Sequence, residues 1–449
     1  MRNTFRGGVH PEERKELSRD ARLRLFDPKG EMVFPLQMHI GKPAKPLVSK
    51  GDEVKVGQRI AEADGFVSSH IHSSCSGKVK GIEKRRLLSG GMGECIVIEN
   101  DGQFTALEDY SVRDSEGSLS NNDILQRVQD AGIVGLGGAG FPTHVKLKPK
   151  DPAAIQFIIA NGAECEPYLT CNDQLMRTHS MAIAEGLELV LRLFPNAHGV
   201  ICIEDNKPEA IHAMRLAVSD KPHIQIQEMV TKYPQGGERS LIQAVTGIDF
   251  PISQLPADAG CIVQNVGTLY AIQRAVLYHE PLFSQCFTVS GEAVKEPGNF
   301  FVRVGTSYAE LLEECGGIRE DAKKVKALAG GPMMGVAMGS LDVPIQKQNN
   351  GLVLMNDDPV EEAEKLLTAC LHCGRCTTVC PVGLMPQLMA DAAIAGNLER
   401  YEKKLYGLEC IQCGSCTFAC PAKRPLMQVF KQAKAEIQAN KKKEGGAAK

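Results

Sequence analysis

Eight of the 16 cysteines in this 449-residue chain lie between residues 370 and 420, in two runs with identical spacing. Each run reads C-x2-C-x2-C-x3-C-P. Thiolates with this spacing hold a cubic [4Fe–4S] cluster, and iron–sulfur chemistry favours such soft ligands. The predicted ligands are Cys370, Cys373, Cys376 and Cys380 in the first run, and Cys410, Cys413, Cys416 and Cys420 in the second.

The two runs are expected to share their ligands. In two-cluster proteins with this spacing, the fourth cysteine of each run ligates the other cluster. Cys420 is therefore predicted to complete the cluster of the first run, and Cys380 that of the second. Zinc is the alternative, but zinc sites use paired C-x2-C hooks separated by a longer loop rather than four cysteines within eleven residues. Two clusters held this closely would pass electrons one at a time.

A glycine-rich loop with the sequence VGLGGAGFPT occupies residues 134–143. Such a loop lets backbone N–H groups approach a phosphate or a ring closely, although a tight packing turn has the same composition. After the next predicted strand comes NGAECEP, residues 161–167. Acidic residues at a strand end can hold a ribose hydroxyl or a nicotinamide carboxamide, so Glu164 and Glu166 are candidates for a nucleotide contact. A solvated loop is the alternative for both.

The hydrophobic pattern changes along the chain and predicts the elements that position these motifs. Residues 35–100 contain short β-type runs separated by glycines, which predict a small sandwich. From residue 120, predicted strands alternate with helices, which favours a largely parallel sheet with ligands at the carboxyl ends of its strands. The strands are predicted at 155–160, 199–203 and 224–230, and the helices at 181–193, 208–218 and 238–245.

Composition narrows the classes of function. A hydrophobic content of 43% and a net charge of -3 are those of a soluble globular protein, and 5% aromatic residues without tryptophan argue against a nucleic-acid partner. No apolar run is long enough to cross a bilayer, and residues 1–24 lack the apolar core of a secretory signal. A metal or redox role for the cysteines is therefore favoured over disulfides.

Three segments together resemble the FMN- and NADH-binding fold of the flavin subunit of respiratory complex I. They are GLGGAGFP at 135–142, NGAECEP at 161–167 and QNVGTL at 264–269. Together with the opening TFRGGVHP at 4–11 and the two cysteine runs, they make the whole chain similar to the RnfC family of electron-transport proteins. The resemblance implies noncovalent FMN held by Gly135, Gly137, Gly138, Gly140, Lys146, Asn161 and Asn265.

The same resemblance implies that NADH is reached by Phe141, Glu164, Glu166 and Glu238, with Phe141 and Glu164 beside the reacting rings as the catalytic residues. Three positions depart from the complex I pattern. Ala163 replaces an aspartate, Glu238 is the only member left of a glutamate pair, and Lys148 stands where an aromatic residue would lie. These departures concern the nicotinamide contacts and leave the flavin motif intact.

The resulting fold class is multidomain α/β and α+β. It combines a lipoyl-like β-sandwich, a Rossmann-like flavin/NADH domain, a β-grasp (SLBB-type) module and a helical two-cluster ferredoxin domain. The lipoyl-like hairpin tip at 63–68 contains no lysine for a covalent cofactor, and His39, His70, His72 and His372 are interpreted as structural. The expected segments are an irregular lead-in at 1–34, the four domains at 35–105, 118–280, 286–340 and 360–430, and a frayed basic tail at 431–449.

These features predict a peripheral NAD-facing subunit at the cytoplasmic face of the cell membrane. Nicotinamide exchanges two electrons as a hydride and iron–sulfur clusters exchange one, so a flavin between them joins the two chemistries. By resemblance, the complex transfers electrons between ferredoxin and NAD, and its other subunits translocate Na+ or H+. The alternatives are a soluble flavin/iron–sulfur NADH-dependent reductase of the cobalamin-reductase type and a non-catalytic iron–sulfur scaffold.

Overall fold

The chain folds in the order in which its hydrophobic pattern changes, with short strands first, alternating strands and helices next, and helices last. The computed structural model describes residues 3–115, 117, 119–251 and 253–447. The strands are β1 (Leu23–Phe26), β2 (Met32–Pro35), β3 (Lys45–Pro46), β4 (Glu53–Val54), β5 (Arg59–Glu62), β6 (Ile71–His72), β7 (Gly77–Arg86), β8 (Met92–Asn100), β9 (Phe157–Gly162), β10 (His198–Glu204), β11 (Ile224–Met229), β12 (Cys261–Asn265), β13 (Ser284–Ser290), β14 (Gly298–Arg303), β15 (Lys326–Ala329), β16 (Val336–Ala337) and β17 (Gly351–Met355). The helices are α1 (Asn121–Asp130), α2 (Thr143–Lys146), α3 (Cys171–Thr178), α4 (Ser180–Leu191), α5 (Pro208–Ala217), α6 (Glu238–Thr246), α7 (Val266–Tyr278), α8 (Tyr308–Glu314), α9 (Pro359–Lys365), α10 (Arg375–Thr378), α11 (Pro386–Ile394), α12 (Ser415–Phe418) and α13 (Leu426–Ala447).

The α/β region is built on a four-stranded parallel sheet with the order β11-β10-β9-β12. The strands β9, β10 and β12 are mostly apolar and buried, as expected where helices cover both faces of a sheet, whereas the edge strand β11 carries polar residues. Ile158 and Ile201 pack in the core that also holds residues of α4 and α7, whereas Ile159 and Val200 pack with residues of α6. The strands and helices predicted here are confirmed, with ends displaced by at most two residues.

The chain forms three further sheets, of four, three and six strands. The sheets β2-β8-β7-β4 and β3-β5-β6 enclose a core around Phe34, Ile60 and Ile96, as the sandwich pattern predicts. The third sheet has six strands in the order β1-β14-β13-β17-β15-β16. The expectation of an irregular lead-in up to residue 34 is wrong for two segments, because β1 pairs with β14 and β2 pairs with β8.

The cysteine-rich region is helical, and α13 extends much further than the sequence suggested. Leu426, Phe430, Ala433 and Ile437 of this helix are buried in the core formed with α11. Their spacing of three and four residues places them on one helical face. The expected frayed tail from residue 431 is therefore wrong for the stretch that continues this face.

The N-terminal segment around Gly8 and Val9 contacts two domains. Val9 forms a two-way backbone pair with Tyr233, which follows β11, and the Gly8 N–H donates to the carbonyl of Val379 in the first cysteine run. The lead-in therefore runs along a neighbouring surface, as expected, and joins the α/β region to the cysteine-rich region. Across the described ranges, no helix combines the length and the apolar character that a membrane span requires.

Candidate electron-transfer site

The eight cysteines of the two runs line two separate recesses, and each recess takes three cysteines from one run and one from the other. The recesses measure about 430 Å³ and 380 Å³ including their open mouths. We call Cys370, Cys373, Cys376 and Cys420 the outer set, and Cys380, Cys410, Cys413 and Cys416 the inner set. These are the groupings that the spacing predicts; ligation itself stays a prediction.

The backbone of each run folds back over its recess because a glycine adopts a left-handed conformation. Gly374 and Gly414 have φ angles of 74° and 81° and directly precede α10 and α12. Backbone N–H groups then turn toward sulfur: Gln412 N lies 3.4 Å from Cys410 Sγ, and Leu384 N lies 3.3 Å from Cys380 Sγ. Such hydrogen bonds favour thiolates and tune a bound cluster.

The chemistry of the inner set fits a group that carries positive charge. Burial raises the pKa of Cys410 to about 11 and raises the pKa of Cys416 as well. The protein alone therefore disfavours thiolates here, and iron would supply the compensating charge. Apart from its cysteines, the recess is lined mainly by apolar side chains such as Met389 and Phe430.

The inner set borders the α/β region through Tyr233. This side chain is 1% exposed, and its hydroxyl donates to the carbonyl of Cys413 at 2.8 Å. Val9 packs in the same cluster, and Cys165 from the loop after β9 contacts it. The outer set is more open to solvent: Cys373 is exposed, and the neighbouring Leu371 is 62% exposed.

The glycine-rich loop presents its backbone at an exposed tip, residues 137–139. The Gly135 N–H donates to the Phe141 carbonyl at 2.9 Å, which closes the loop, and the Leu136 N–H donates to Thr268 at 3.0 Å. A side chain added at Gly138 would meet no atom of the described chain within 4 Å. The loop therefore offers the open, close approach to backbone that a flavin phosphate or ring needs.

The other predicted flavin residues gather at the carboxyl ends of β9 and β12. Asn161 and Asn265 are register partners at these strand ends. The Lys146 amine, from the helix after the glycine loop, lies 2.7 Å from the Glu238 carboxylate and donates to the Val263 carbonyl at 2.8 Å. The parallel sheet thus brings together residues that are more than 100 positions apart in sequence.

The carboxylates of Glu164 and Glu166 both accept backbone N–H groups of the protein. Glu164 is 8% exposed, and its carboxylate accepts the N–H groups of Asn172 and Asp173 in the first turn of α3, at 2.7 and 3.1 Å. The side chain therefore holds the start of this helix, and its predicted place beside the reacting rings stays a prediction. A solvated loop is wrong for this side chain.

Glu166 joins two domains instead of facing solvent. Its carboxylate accepts the N–H groups of Met333 and Met334 at 3.1 and 2.8 Å, and burial raises its pKa to about 7. Met333 in turn contacts the cluster around Tyr233 and Cys413. Glu166 therefore positions the loop after β15 against the inner set.

Four family models match successive parts of the chain. They describe the RnfC barrel sandwich hybrid domain at residues 3–103, the Nuo51 FMN-binding domain at 128–274, the SLBB domain at 286–337 and the 4Fe-4S dicluster domain at 363–421. The RnfC-type protein of the proton-translocating ferredoxin:NAD(+) oxidoreductase complex of Clostridium ljungdahlii is 42% identical over 442 residues, which cover 98% of this chain and 95% of that protein. The chain belongs to the RnfC family of ion-translocating oxidoreductase complexes.

A second relative is similar over nearly its full length, and one solved structure has a similar fold. The corresponding protein of the Na(+)-translocating ferredoxin:NAD(+) oxidoreductase complex of Acetobacterium woodii is 42% identical over 446 residues, covering 98% of each chain. A crystal structure of an NAD+-reducing [NiFe]-hydrogenase in the H2-reduced state matches 73% of this chain and 67% of that one, with a TM-score of 0.50 and 21% identity, and shows a similar fold. For this RnfC-family protein, the predicted fold class, the FMN and the 4Fe–4S clusters are confirmed at the level of domains.

Sequence reasoning missed two groups of residues near the site of this RnfC-family protein. Tyr233 carried no motif, and nothing in the sequence indicates that its hydroxyl reaches the second cysteine run. The segment 347–350 lies beside the glycine-rich loop although about 210 residues separate the two. A contact between residues so far apart in the chain leaves no periodic signal in a single sequence.

Proposed function

We propose that this chain is the NAD-facing, electron-transferring subunit of a membrane-bound ferredoxin:NAD oxidoreductase. Electrons pass between NAD(H), FMN and two [4Fe–4S] clusters, while other subunits of the complex translocate Na+ or H+. The observation that carries the proposal is the contact between Tyr233 and Cys413, because it places one cysteine set directly against the FMN-binding domain. Full-length similarity to relatives named for this activity supports it.

When bound, FMN would accept a hydride from nicotinamide and release single electrons. The residues proposed to hold it are the glycines of the loop, through their backbone N–H groups, together with Lys146, Asn161 and Asn265. Lys146 offers a cation near the strand ends, and its ion pair with Glu238 keeps the amine in place. Phe141 and Glu238 are proposed to face the nicotinamide, Phe141 directly after the glycine loop and Glu238 at the start of α6.

The two cysteine sets have different places in the electron path. The inner set is proposed to exchange electrons with the flavin, because Cys413 is buried against Tyr233 of the α/β region and the Cys380 carbonyl lies beside Gly7 of the N-terminal segment. The outer set is proposed to exchange electrons with another subunit, because Cys373 is exposed. Ferredoxin would be reached indirectly, through those subunits, at the cytoplasmic face of the membrane.

Membranes from a strain that lacks this chain test the proposal against a soluble reductase. We expect them to lose ferredoxin-dependent NAD+ reduction, and we expect wild-type chain to restore it. A Cys413→Ser variant should bind to the membranes without restoring activity, since the inner set is needed for transfer. A soluble flavin/iron–sulfur reductase would be favoured if the deletion membranes kept their activity and if the chain of the wild-type strain were recovered only in the soluble fraction. Full restoration by the Cys413 variant would favour a scaffold.

A further inference from the structure

The segment 347–350, directly before β17, lies against the glycine-rich loop. It falls outside the parts of the chain that match the FMN-binding and SLBB models. We propose that this segment forms a second wall of the FMN site and that Asn350 binds the flavin through its side-chain amide. The inference rests on the proposed function, since it requires that the loop holds FMN.

Two side-chain amides converge on the exposed tip of the loop. A Cβ built on Gly137 would lie 3.3 Å from Nδ2 of Asn350 and 3.7 Å from Nδ2 of Asn265. Only glycine leaves this space open, and its φ of +66° suits glycine as well. The side-chain amides of Asn350 and Asn265 therefore approach each other beside the exposed backbone of residues 137–139.

Both amide groups have hydrogen-bonding capacity left. The Asn265 Oδ1 accepts the Gly267 N–H at 2.7 Å, but its Nδ2 donates to no residue in the described ranges. Asn350 forms hydrogen bonds to described residues only through its backbone carbonyl, which accepts from Cys171 Sγ and from the Thr288 N–H. Two unused donors side by side fit a ligand rich in acceptor oxygens. FMN offers such oxygens on its ring carbonyls and on its phosphate.

Gln348 adds a buried acceptor without a donor. Its Oε1 has no partner within the described chain, and its Cβ lies 3.5 Å from the Cβ position of Gly140 at the end of the loop. Leaving such a buried acceptor unpaired is unfavourable. A ligand that donates from a ring N–H or a ribityl hydroxyl would remove this cost.

Lys347 fixes the segment in place. It is 1% exposed, and its amine donates to the carbonyls of His70 and Gly132 at 2.6 and 2.7 Å. Gly132 lies just before the glycine loop, and His70 belongs to the sandwich domain. Lys347 is thus a positioning residue that ties three domains together behind the proposed wall.

The test measures FMN and riboflavin affinity of the full-length chain after its flavin has been removed. We expect Asn350→Ala to weaken FMN binding about tenfold, which corresponds to one lost hydrogen bond of about 1.4 kcal/mol. Asn350→Asp keeps the size of the side chain, but a carboxylate cannot donate a hydrogen bond, so we expect a similar loss of FMN affinity. Asn356→Ala, just beyond the other end of β17, is the matched control and should bind as wild type does.

Comparing riboflavin with FMN shows which part of the flavin Asn350 contacts. An equal loss of affinity for the two flavins would place Asn350 at the ring or the ribityl chain. A loss of affinity for FMN alone would place it at the phosphate, and either result supports the proposal. If both Asn350 variants bind FMN within twofold of wild type, the inference is refuted while the proposed function stands. A wild-type chain that binds no flavin would refute the proposed function and the inference together.

Discussion

Tyr233→Phe is the substitution that examines the contact between the FMN-binding domain and the inner set. It removes one oxygen and leaves the ring in its buried position. The hydroxyl donates to the Cys413 carbonyl at 2.8 Å, so the carbonyl of a proposed ligand loses its partner. The hydroxyl hydrogen brings a partial positive charge toward the inner set. Because a reduced cluster is more negative than an oxidised one, this charge stabilises the reduced cluster.

The expected effect follows from that charge. A buried carbonyl left without its donor costs about 1–3 kcal/mol of folding free energy. If roughly 0.5–1 kcal/mol of the lost interaction differs between the two redox states, the reduction potential of the inner cluster falls by roughly 20–40 mV for one electron. The potential of the outer cluster should stay unchanged, because the hydroxyl of Tyr233 donates to a residue of the inner set.

The assay is a redox titration followed by EPR, with chemical unfolding measured in parallel. Tyr308→Phe is the matched control, because Tyr308 is equally buried and its hydroxyl has no hydrogen-bond partner within the described part of the chain. This control should change neither potential. A shift of the outer cluster in Tyr233→Phe, or equal potentials in Tyr233→Phe and wild type, would refute the proximity argument.

Three further substitutions examine other parts of the account. Cys420→Ser should change the EPR spectrum of the cluster in the outer set, and a change confined to the inner set would show that the fourth ligands are assigned wrongly. Gly7→Ala should lower the melting temperature and expose the N-terminal segment to protease, because its Cβ would lie 2.8 Å from the carbonyl oxygens of Val379 and Cys380. The control is Gly51→Ala, which is also at positive φ but in open space and should leave protease sensitivity unchanged. Identical cleavage of the two variants would contradict the clash. Burial raises the pKa of Glu166 to about 7 from 4.5, so the folded chain holds a proton that the unfolded chain has lost, and stability should fall as the pH rises from about 4.5 to 7. Glu166→Gln should flatten that fall in denaturant unfolding at pH 5 and pH 7.5, and an unchanged difference between the two pH values would exclude Glu166 as its source.

Local patterns in the sequence predicted most of the elements and the grouping of the cysteines. The alternation of apolar strands and amphipathic helices depends on neighbours in sequence, and so does the spacing of each cysteine run. Asn161 and Asn265 were named as flavin residues by the family resemblance alone, and the structure pairs them in register at the carboxyl ends of β9 and β12.

Features that depend on distant contacts were not predictable in this way. Glu166 carried no signal that its carboxylate would accept the N–H groups of Met333 and Met334, about 167 residues further along the chain. The strand β1 looked irregular because its partner β14 lies about 275 residues further along the chain. Tyr233 and Asn350 belong to the site only because separate domains pack together there.

Anaerobic addition of NADH to the purified, reconstituted chain tests most directly whether a flavin and two clusters form one electron path. The account predicts about eight irons per chain, bleaching of the flavin absorbance, and EPR signals of reduced [4Fe–4S] clusters that follow the bleaching. A preparation with flavin and clusters in which NADH bleaches the flavin but never reduces a cluster would contradict the account, as would a chain that retains far fewer irons.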